Sequence, residues 1–131
     1  MNMTDPRPTD LTTARHVADL APIDGAALAA LRTKAIINAA PVWQPAEGET
    51  LEGRIFASRS VTNPFGAQQD QAIVQRVDGS LTALWLSPWM LSQLRVQQAD
   101  IGDLLSMTYL GQERSARGAL YHKYSVAVLK T

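Results

Sequence analysis

The sequence predicts a mainly β domain that follows a helical arm, and three observations indicate this fold class. Alanine and leucine at helical spacing fill residues 11–40, and Pro41 ends the pattern. Beyond Pro41, short runs of β-branched, aromatic and leucine residues alternate with glycine-containing turns, which is typical of a small all-β unit. With 131 residues, 46 % of them hydrophobic and 18 % charged, the chain can bury one core but is too short for two ordinary domains.

The segment before Pro41 divides into a tail and an arm. Residues 1–10 contain two prolines and two aspartates, a composition that favours a mobile tail. Asp24 precedes Gly25-Ala-Ala-Leu-Ala-Ala-Leu, which predicts an N-cap and a helix that runs towards residue 40. The spacing also permits a shorter helix around residues 14–20. The arm, residues 11–40, therefore has the composition of a lid, an oligomerisation element or a partner-binding element.

Five strands and one further helix are predicted over residues 41–131. The strands cover residues 50–60, 70–77, 81–86, 104–110 and 121–130. Ser87 as N-cap and Pro88 as the first helical residue predict a helix that continues to Val96. Asp78-Gly79 suits the positive φ angles of a two-residue turn between the second and third strands. This order, with a helix between strands three and four, is that of the OB-fold, a five-stranded Greek-key barrel.

The predicted turn also indicates which face of its hairpin is buried. A two-residue turn places Ala72 opposite Trp85, on a face whose single polar residue is Arg76. We therefore expect Trp85 in the core and Trp43 near the first strand, where it closes the barrel. The other predicted core residues are Ile55, Val74, Leu81, Ala83, Leu91, Leu94, Val126 and Val128. The alternative is that Trp85 stacks on a nucleic-acid base beside Arg76.

Four short motifs carry a family resemblance over about two-thirds of the chain. They are Trp43-Gln-Pro-x-Glu-Gly-Glu-Thr-Leu-x-Gly, Val77-Asp-Gly, Ile101-Gly-Asp-Leu-Leu-Ser-Met-Thr-Tyr-Leu-Gly and Tyr121-x-x-Tyr-x-Val. With these motifs, residues 43–130 resemble a loosely defined group of small phage, plasmid and actinobacterial proteins that are OB-like and linked to single-stranded DNA. The resemblance implies that the chain binds single-stranded DNA in a phage or plasmid setting.

Seven residues are the candidate contacts to such a strand. They are Arg54, Phe56, Arg59, Phe65, Arg114, Arg117 and Lys123. Alternation places Arg54 and Phe56 on the outward face of the first strand, and Phe65 lies in a loop. The other four cations lie at or beside the two loops with which OB-folds grip oligonucleotides, so that the cations would pair with phosphates while the phenylalanines stack on bases. Alternatively, the arm covers Phe56 and the loop cations are ordinary surface residues.

The sequence carries no pattern that indicates catalysis. The absence of cysteine excludes disulfides, zinc–thiolate sites and thiol nucleophiles. His16 and His122 lie in different segments, and no G-x-S-x-G, Walker or H-E-x-x-H motif occurs. Asp100 and Asp103 flank a glycine, so we interpret them as turn residues and not as paired catalytic carboxylates. We therefore expect no enzyme activity, no metal and no cofactor.

Charge and hydropathy limit the partners. Twelve Lys+Arg balance twelve Asp+Glu over the whole chain, which excludes a broad polycationic surface, although residues 51–131 carry eight cations against six anions. No signal peptide and no run of roughly 20 apolar residues occurs, so we expect a cytoplasmic protein without a membrane span. The expected function is non-catalytic binding of single-stranded DNA. The alternative is a protein-interaction or structural adaptor module that assembles through residues 24–40 into a homo-oligomer or a phage or plasmid complex.

Overall fold

The computed structural model describes residues 21–131, and the chain divides into two units, residues 1–35 and 36–131. The predicted tail over residues 1–10 and the short helix near residues 14–20 lie outside the described part. Helix α1 (Gly25–Asn38) begins where its N-cap predicts, because Asp24 Oδ1 accepts a hydrogen bond of 3.1 Å from the backbone N–H of Ala26. None of the residues of α1 is buried.

Five strands and a second helix follow α1. They are β1 (Thr50–Thr62), β2 (Gln68–Gln75), β3 (Leu81–Trp85), α2 (Pro88–Val96), β4 (Leu104–Arg114) and β5 (Leu120–Leu129). The bounds of α2 match the prediction because local signals set its start: Ser87 Oγ accepts a hydrogen bond of 3.2 Å from the N–H of Met90. The β1–β2 and β4–β5 hairpins are longer than predicted.

The strands form one antiparallel sheet in the order β3-β2-β1-β4-β5. The predicted mainly β class, the five strands and the helix between β3 and β4 are confirmed. A closed ring with this order requires β3 to pair with β5, and no such ladder occurs within residues 21–131, so the sheet is open. No helix in this range is long and apolar enough to cross a bilayer.

Other groups hydrogen-bond to the edge strands at places where a closing ladder would form. On β3, Ala83 donates to the carbonyl of Pro41 and accepts from the N–H of Trp43, both at 2.8 Å. On β5, the side-chain amide of Gln97 donates to the carbonyl of Val126 at 3.1 Å and accepts from the N–H of Val128 at 3.0 Å. Some backbone groups of each edge strand therefore have hydrogen-bond partners without the other edge strand. This lowers the free-energy cost of leaving the sheet open.

The β2–β3 hairpin has a three-residue turn instead of the predicted two-residue turn. Arg76 donates to the carbonyl of Ser80 at 2.8 Å, and Gly79, with φ +88°, donates to the carbonyl of Arg76 at 2.9 Å. This is a type I turn followed by a glycine bulge, and it shifts the register by one residue. Gln71 therefore pairs with Trp85, and Ala72 pairs with Leu84.

The shifted register makes the prediction of a core Trp85 wrong. Trp85 lies on the face of the hairpin opposite to Ala72 and is half-buried, and it belongs to neither core cluster. Leu84, which is 3 % exposed, occupies the core instead. A turn that is longer by one residue thus exchanges the roles of two neighbouring side chains of β3: Trp85, predicted to be buried, is partly accessible, and Leu84 is buried in its place.

Two clusters of buried side chains lie on opposite faces of the β2–β3 hairpin. The main cluster consists of Trp43, Leu51, Ile55, Ala72, Val74, Leu84, Leu86, Met90, Leu105 and Met107. The predicted core residues Leu91, Leu94, Val126 and Val128 are partly buried against it. The smaller cluster consists of Ile73, Leu81 and Ala83, with Ile37, Ala40, Phe56 and Ala57 packed around it.

Candidate functional site

A cleft of about 710 Å³ opens where the end of β3 and the first turn of α2 face β5. Its lining residues are Gln69, Trp85, Ser87, Pro88, Trp89, Met90, Tyr121, His122, Lys123 and Tyr124. We call it the aromatic cleft because two tryptophans and two tyrosines contribute to its wall. A concave site with several aromatic side chains and a few polar groups is the usual form of a ligand-binding site.

The aromatic side chains of the cleft are accessible to a ligand. Trp89 is 48 % exposed and Tyr121 is 43 % exposed, while Trp85 and Tyr124 are half-buried. The Ser87 cap and Pro88 set the start of α2 and so place Trp89 in its first turn, whereas the shifted hairpin register places Trp85 away from the core. Large aromatic surfaces that a fold leaves in contact with water mark binding sites more often than isolated exposed residues do.

A row of aromatic rings supports the β5 side of the cleft. The ring of Tyr124 lies 6.3 Å from that of Trp43 and 5.1 Å from that of Tyr109. The hydroxyl oxygen of Tyr109 lies 2.8 Å from Nδ1 of His122, which also lines the cleft. Burial, with a smaller contribution from Tyr109, raises the pKa of Tyr124, so its phenol is neutral at physiological pH.

One carboxylate outside the cleft holds two of its lining residues. Glu113 accepts a hydrogen bond of 3.1 Å from the Tyr121 hydroxyl and one of 3.0 Å from the Lys123 ammonium. The bond from Lys123 holds the pKa of Glu113 below its ordinary value, and the same bond raises the pKa of Lys123. The Lys123 ammonium is therefore charged at neutral pH, and it is paired with the Glu113 carboxylate.

No protein-family model, curated protein or solved structure matches the chain. Within residues 21–131, no group of three or more His, Asp or Glu side chains is arranged to hold a metal ion.

Of the seven predicted contact residues, Lys123 alone lines the aromatic cleft. Arg114 and Arg117 are exposed in the same β4–β5 hairpin, and Arg114 donates to the carbonyl of Gly118 at 2.7 Å. Arg54 is exposed on β1, and Phe65 is 95 % exposed in the loop between β1 and β2. Lys123 therefore lies in the cleft wall, Arg114 and Arg117 lie in the same hairpin outside the lining, and Arg54 and Phe65 are also outside it.

Phe56 and Arg59 are both engaged within the fold. Phe56 is half-buried against the smaller cluster, where Ile37 and Ala40 also pack. Arg59 donates to Oε1 of Gln71 and to Oδ1 of Asn38, both at 2.9 Å. Phe56 is therefore covered by other residues of the fold, as the second interpretation of this residue expects.

Three aromatic residues of the cleft were not predicted as contacts: Trp89, Tyr121 and Tyr124. Their sequence signal is the concentration of aromatic residues in two short segments, residues 85–89 and 121–124. These segments are more than thirty residues apart in the chain, and only the topology brings them together.

Proposed function

We propose that the aromatic cleft binds single-stranded nucleic acid, with single-stranded DNA as the expected ligand, and performs no catalysis. The observation that carries this proposal is the presence of four accessible aromatic side chains in one cleft beside Lys123. Bases of every kind stack on aromatic rings, and each such contact contributes about 1–3 kcal/mol. Unpaired bases are available only in a single strand, so the cleft would discriminate against a duplex.

The charge around the cleft is consistent with local contacts to phosphates. Lys123 is in the cleft wall, and the exposed Arg114 and Arg117 belong to the hairpin that supplies this wall. Because the chain is neutral overall, its affinity would depend on stacking and on a few cations, without a broad electrostatic attraction.

The sheet supports an OB-like interpretation of the domain. The order β3-β2-β1-β4-β5 becomes a ring when β3 meets β5, and α2 lies between β3 and β4 in the chain. OB-folds are partly open five-stranded barrels that bind oligonucleotides. We therefore interpret this domain as an OB-like barrel that is open at the seam holding the aromatic cleft.

A protein-interaction or adaptor module is the second candidate function. Exposed aliphatic side chains favour it, since Leu31 and Ile36 on α1 are 61 % and 57 % exposed. Aliphatic helix surface that the fold leaves in solvent can be buried by a second protein. Under this proposal, α1 joins copies of the chain or joins it to a larger complex.

Fluorescence anisotropy with labelled oligo-dT and a matched duplex, at two salt concentrations, tests the proposed function. We expect binding of the single strand in preference to the duplex. The double variant R114Q/R117Q should bind more weakly at low salt and show a slope reduced by about two phosphate contacts. The matched control R32Q/R95Q removes two exposed arginines outside the cleft and should keep the wild-type slope.

Wild-type protein that binds no oligonucleotide even at low ionic strength would contradict the proposal. The interaction module would then replace it, and sedimentation of the wild type and of L31D/I36D would test whether α1 mediates self-association.

A further inference from the structure

A second, polar groove of about 380 Å³ continues the aromatic cleft towards the β1–β2 hairpin. Gln69 and Pro88 line both, so the two depressions share a wall. The remaining lining residues of the polar groove are Ser60, Asn63, Gln68, Asp70, Leu86 and Leu91. A strand that leaves the aromatic cleft on this side therefore meets amides and a carboxylate in place of aromatic rings.

Hydrogen bonds hold the amides of the polar groove in place. Asn63 donates to Oε1 of Gln69 at 3.1 Å, and Gln69 donates to the carbonyl of Leu86 at 3.3 Å. Gln68 donates to the Thr62 hydroxyl at 3.1 Å. Polar groups that are fixed before the ligand arrives lose little entropy on binding, so they favour one hydrogen-bonding pattern over others.

Asp70 gives the polar groove its charge. Alternation along β2 places its side chain on the same face as Ala72 and Val74, which is the face that meets Leu86. Its backbone carbonyl accepts from the N–H of Leu86 at 2.9 Å, while its carboxylate has no hydrogen-bond partner among residues 21–131. A free carboxylate repels phosphate and accepts hydrogen bonds, so it favours the amino edge of a base over the backbone of a strand.

We infer that the polar groove receives a base with an exocyclic amino group, from the same strand whose other bases stack in the aromatic cleft. This inference rests on the proposed function. Aspartate accepts from N4 of cytosine, a standard pairing of side chain and base. Thymine offers one ring N–H between two carbonyl oxygens, and a carboxylate repels both oxygens. The groove therefore selects cytosine over thymine through Asp70.

Competition between oligo-dC and oligo-dT of equal length tests this selection. Both are pyrimidine strands, so their stacking contributions are similar and the difference reports on the base edge. We expect wild-type protein to bind oligo-dC at least about fivefold more tightly, which is the lower end of what a good base contact contributes. D70N should lose this preference, because an amide presents a donor as well as an acceptor.

The control variant E52Q removes one negative charge from an exposed β1 residue outside both grooves and should keep the preference for oligo-dC. Equal affinities of the wild type for the two strands, or an unchanged preference in folded D70N, would overturn the inference and leave the proposed function intact. Failure to bind either strand would contradict both.

Discussion

The indole ring of Trp43 lies 6.3 Å from the ring of Tyr124 on β5, while its backbone N–H donates to Ala83 on β3 at 2.8 Å. One residue from the segment before the sheet thus contacts both edge strands. Trp43 is 8 % exposed, and its indole N–H is buried without a hydrogen-bond partner among the described residues. Trp43 therefore connects the two edge strands from within the main cluster, while Trp85 and Trp89 line the aromatic cleft.

This difference between the tryptophans predicts different costs of truncation. W43A should destabilise the fold by roughly 3–5 kcal/mol, because it removes a large buried side chain from the main cluster. W85A should cost much less, since Trp85 is half-buried and belongs to neither core cluster. Urea unfolding of both variants checks this order. Equal destabilisation would mean that Trp85 is a core residue after all.

The backbone of β1 passes so close to β2 that residue 53 must be glycine. A Cβ at Gly53 would lie 2.1 Å from the carbonyl oxygen of Gln75, and a backbone atom in a sheet cannot move aside cheaply. We expect G53A to destabilise the fold by roughly 1–3 kcal/mol or more, as overpacking does. G25A is the control, because nothing lies within 4 Å of a Cβ there. Thermal unfolding that gives both variants wild-type stability would contradict this close approach.

Asp103 links the turn before β4 to the residues after β5. Its carboxylate, 3 % exposed as a residue, accepts from Lys130 at 2.7 Å and from the N–H of Asp100 at 2.8 Å. The bond from Lys130, followed by those from the backbone, holds the pKa of Asp103 below its ordinary value, and Asp103 raises the pKa of Lys130. The interpretation of Asp103 as a turn residue agrees with this geometry.

The directions of these pKa shifts set the pH range in which the pair stabilises the fold. The contribution of Asp103 is present above the unfolded-state pKa of about 4 and is lost as the pH falls through the lower folded-state value. That of Lys130 is present below about 10.4 and is lost as the pH rises through its raised folded-state value. D103N should therefore be less stable than wild type between pH 5 and 9, and the difference should shrink below pH 4.

Unfolding measured across this pH range checks the prediction. D100N is the control, since Asp100 is 80 % exposed in its side chain and lies 3.2 Å from the same lysine. Its effect should be smaller at every pH. A loss of stability in D103N that is the same at pH 3 and pH 7 would show that the ion pair is not the cause.

The sequence predicts those parts of the fold that depend on neighbouring residues. Ser87 and Pro88 are enough to place α2, and Asp24 is enough to start α1, because capping acts within three residues. For the β2–β3 hairpin, the sequence predicts a register one residue away from the observed one. Both turn lengths suit a glycine at positive φ, so local residues do not decide between them, and the observed register is the one that buries Leu84.

The site depends on contacts between distant segments, and the sequence predicted it less well. The residues lining the aromatic cleft come from β2, β3, α2 and β5, and their proximity follows from the strand order of the open sheet. The pairing of Ala83 with Trp43, and that of Gln97 with β5, has no sequence signature. The hairpin pattern predicts a cation at Lys123, which lines the cleft, but gives no signal that Tyr121 and Tyr124 line it as well.

Glu113 should restrain the affinity of the aromatic cleft for nucleic acid, because its carboxylate competes with phosphate for Lys123. We expect E113Q to bind oligo-dT more tightly at low salt, with a slope steeper by about one phosphate contact. Glutamine keeps an acceptor for the Tyr121 hydroxyl, so the ring of Tyr121 should stay in position. E52Q makes the same charge change away from the cleft and serves as the control. Affinity that is unchanged or lower in E113Q would show that Lys123 does not contact the strand.

The indole N–H resonances of the protein test the central claim most directly, because the chain has three tryptophans and two of them line the aromatic cleft. A titration of ¹⁵N-labelled protein with oligo-dT, followed in ¹H–¹⁵N spectra and assigned with single Trp→Phe variants, reports on each indole separately. We predict saturable shifts of the Trp85 and Trp89 resonances, and at most a smaller shift of the buried Trp43 resonance. Unmoved Trp85 and Trp89 resonances at saturating oligonucleotide would contradict binding of single-stranded nucleic acid in this cleft.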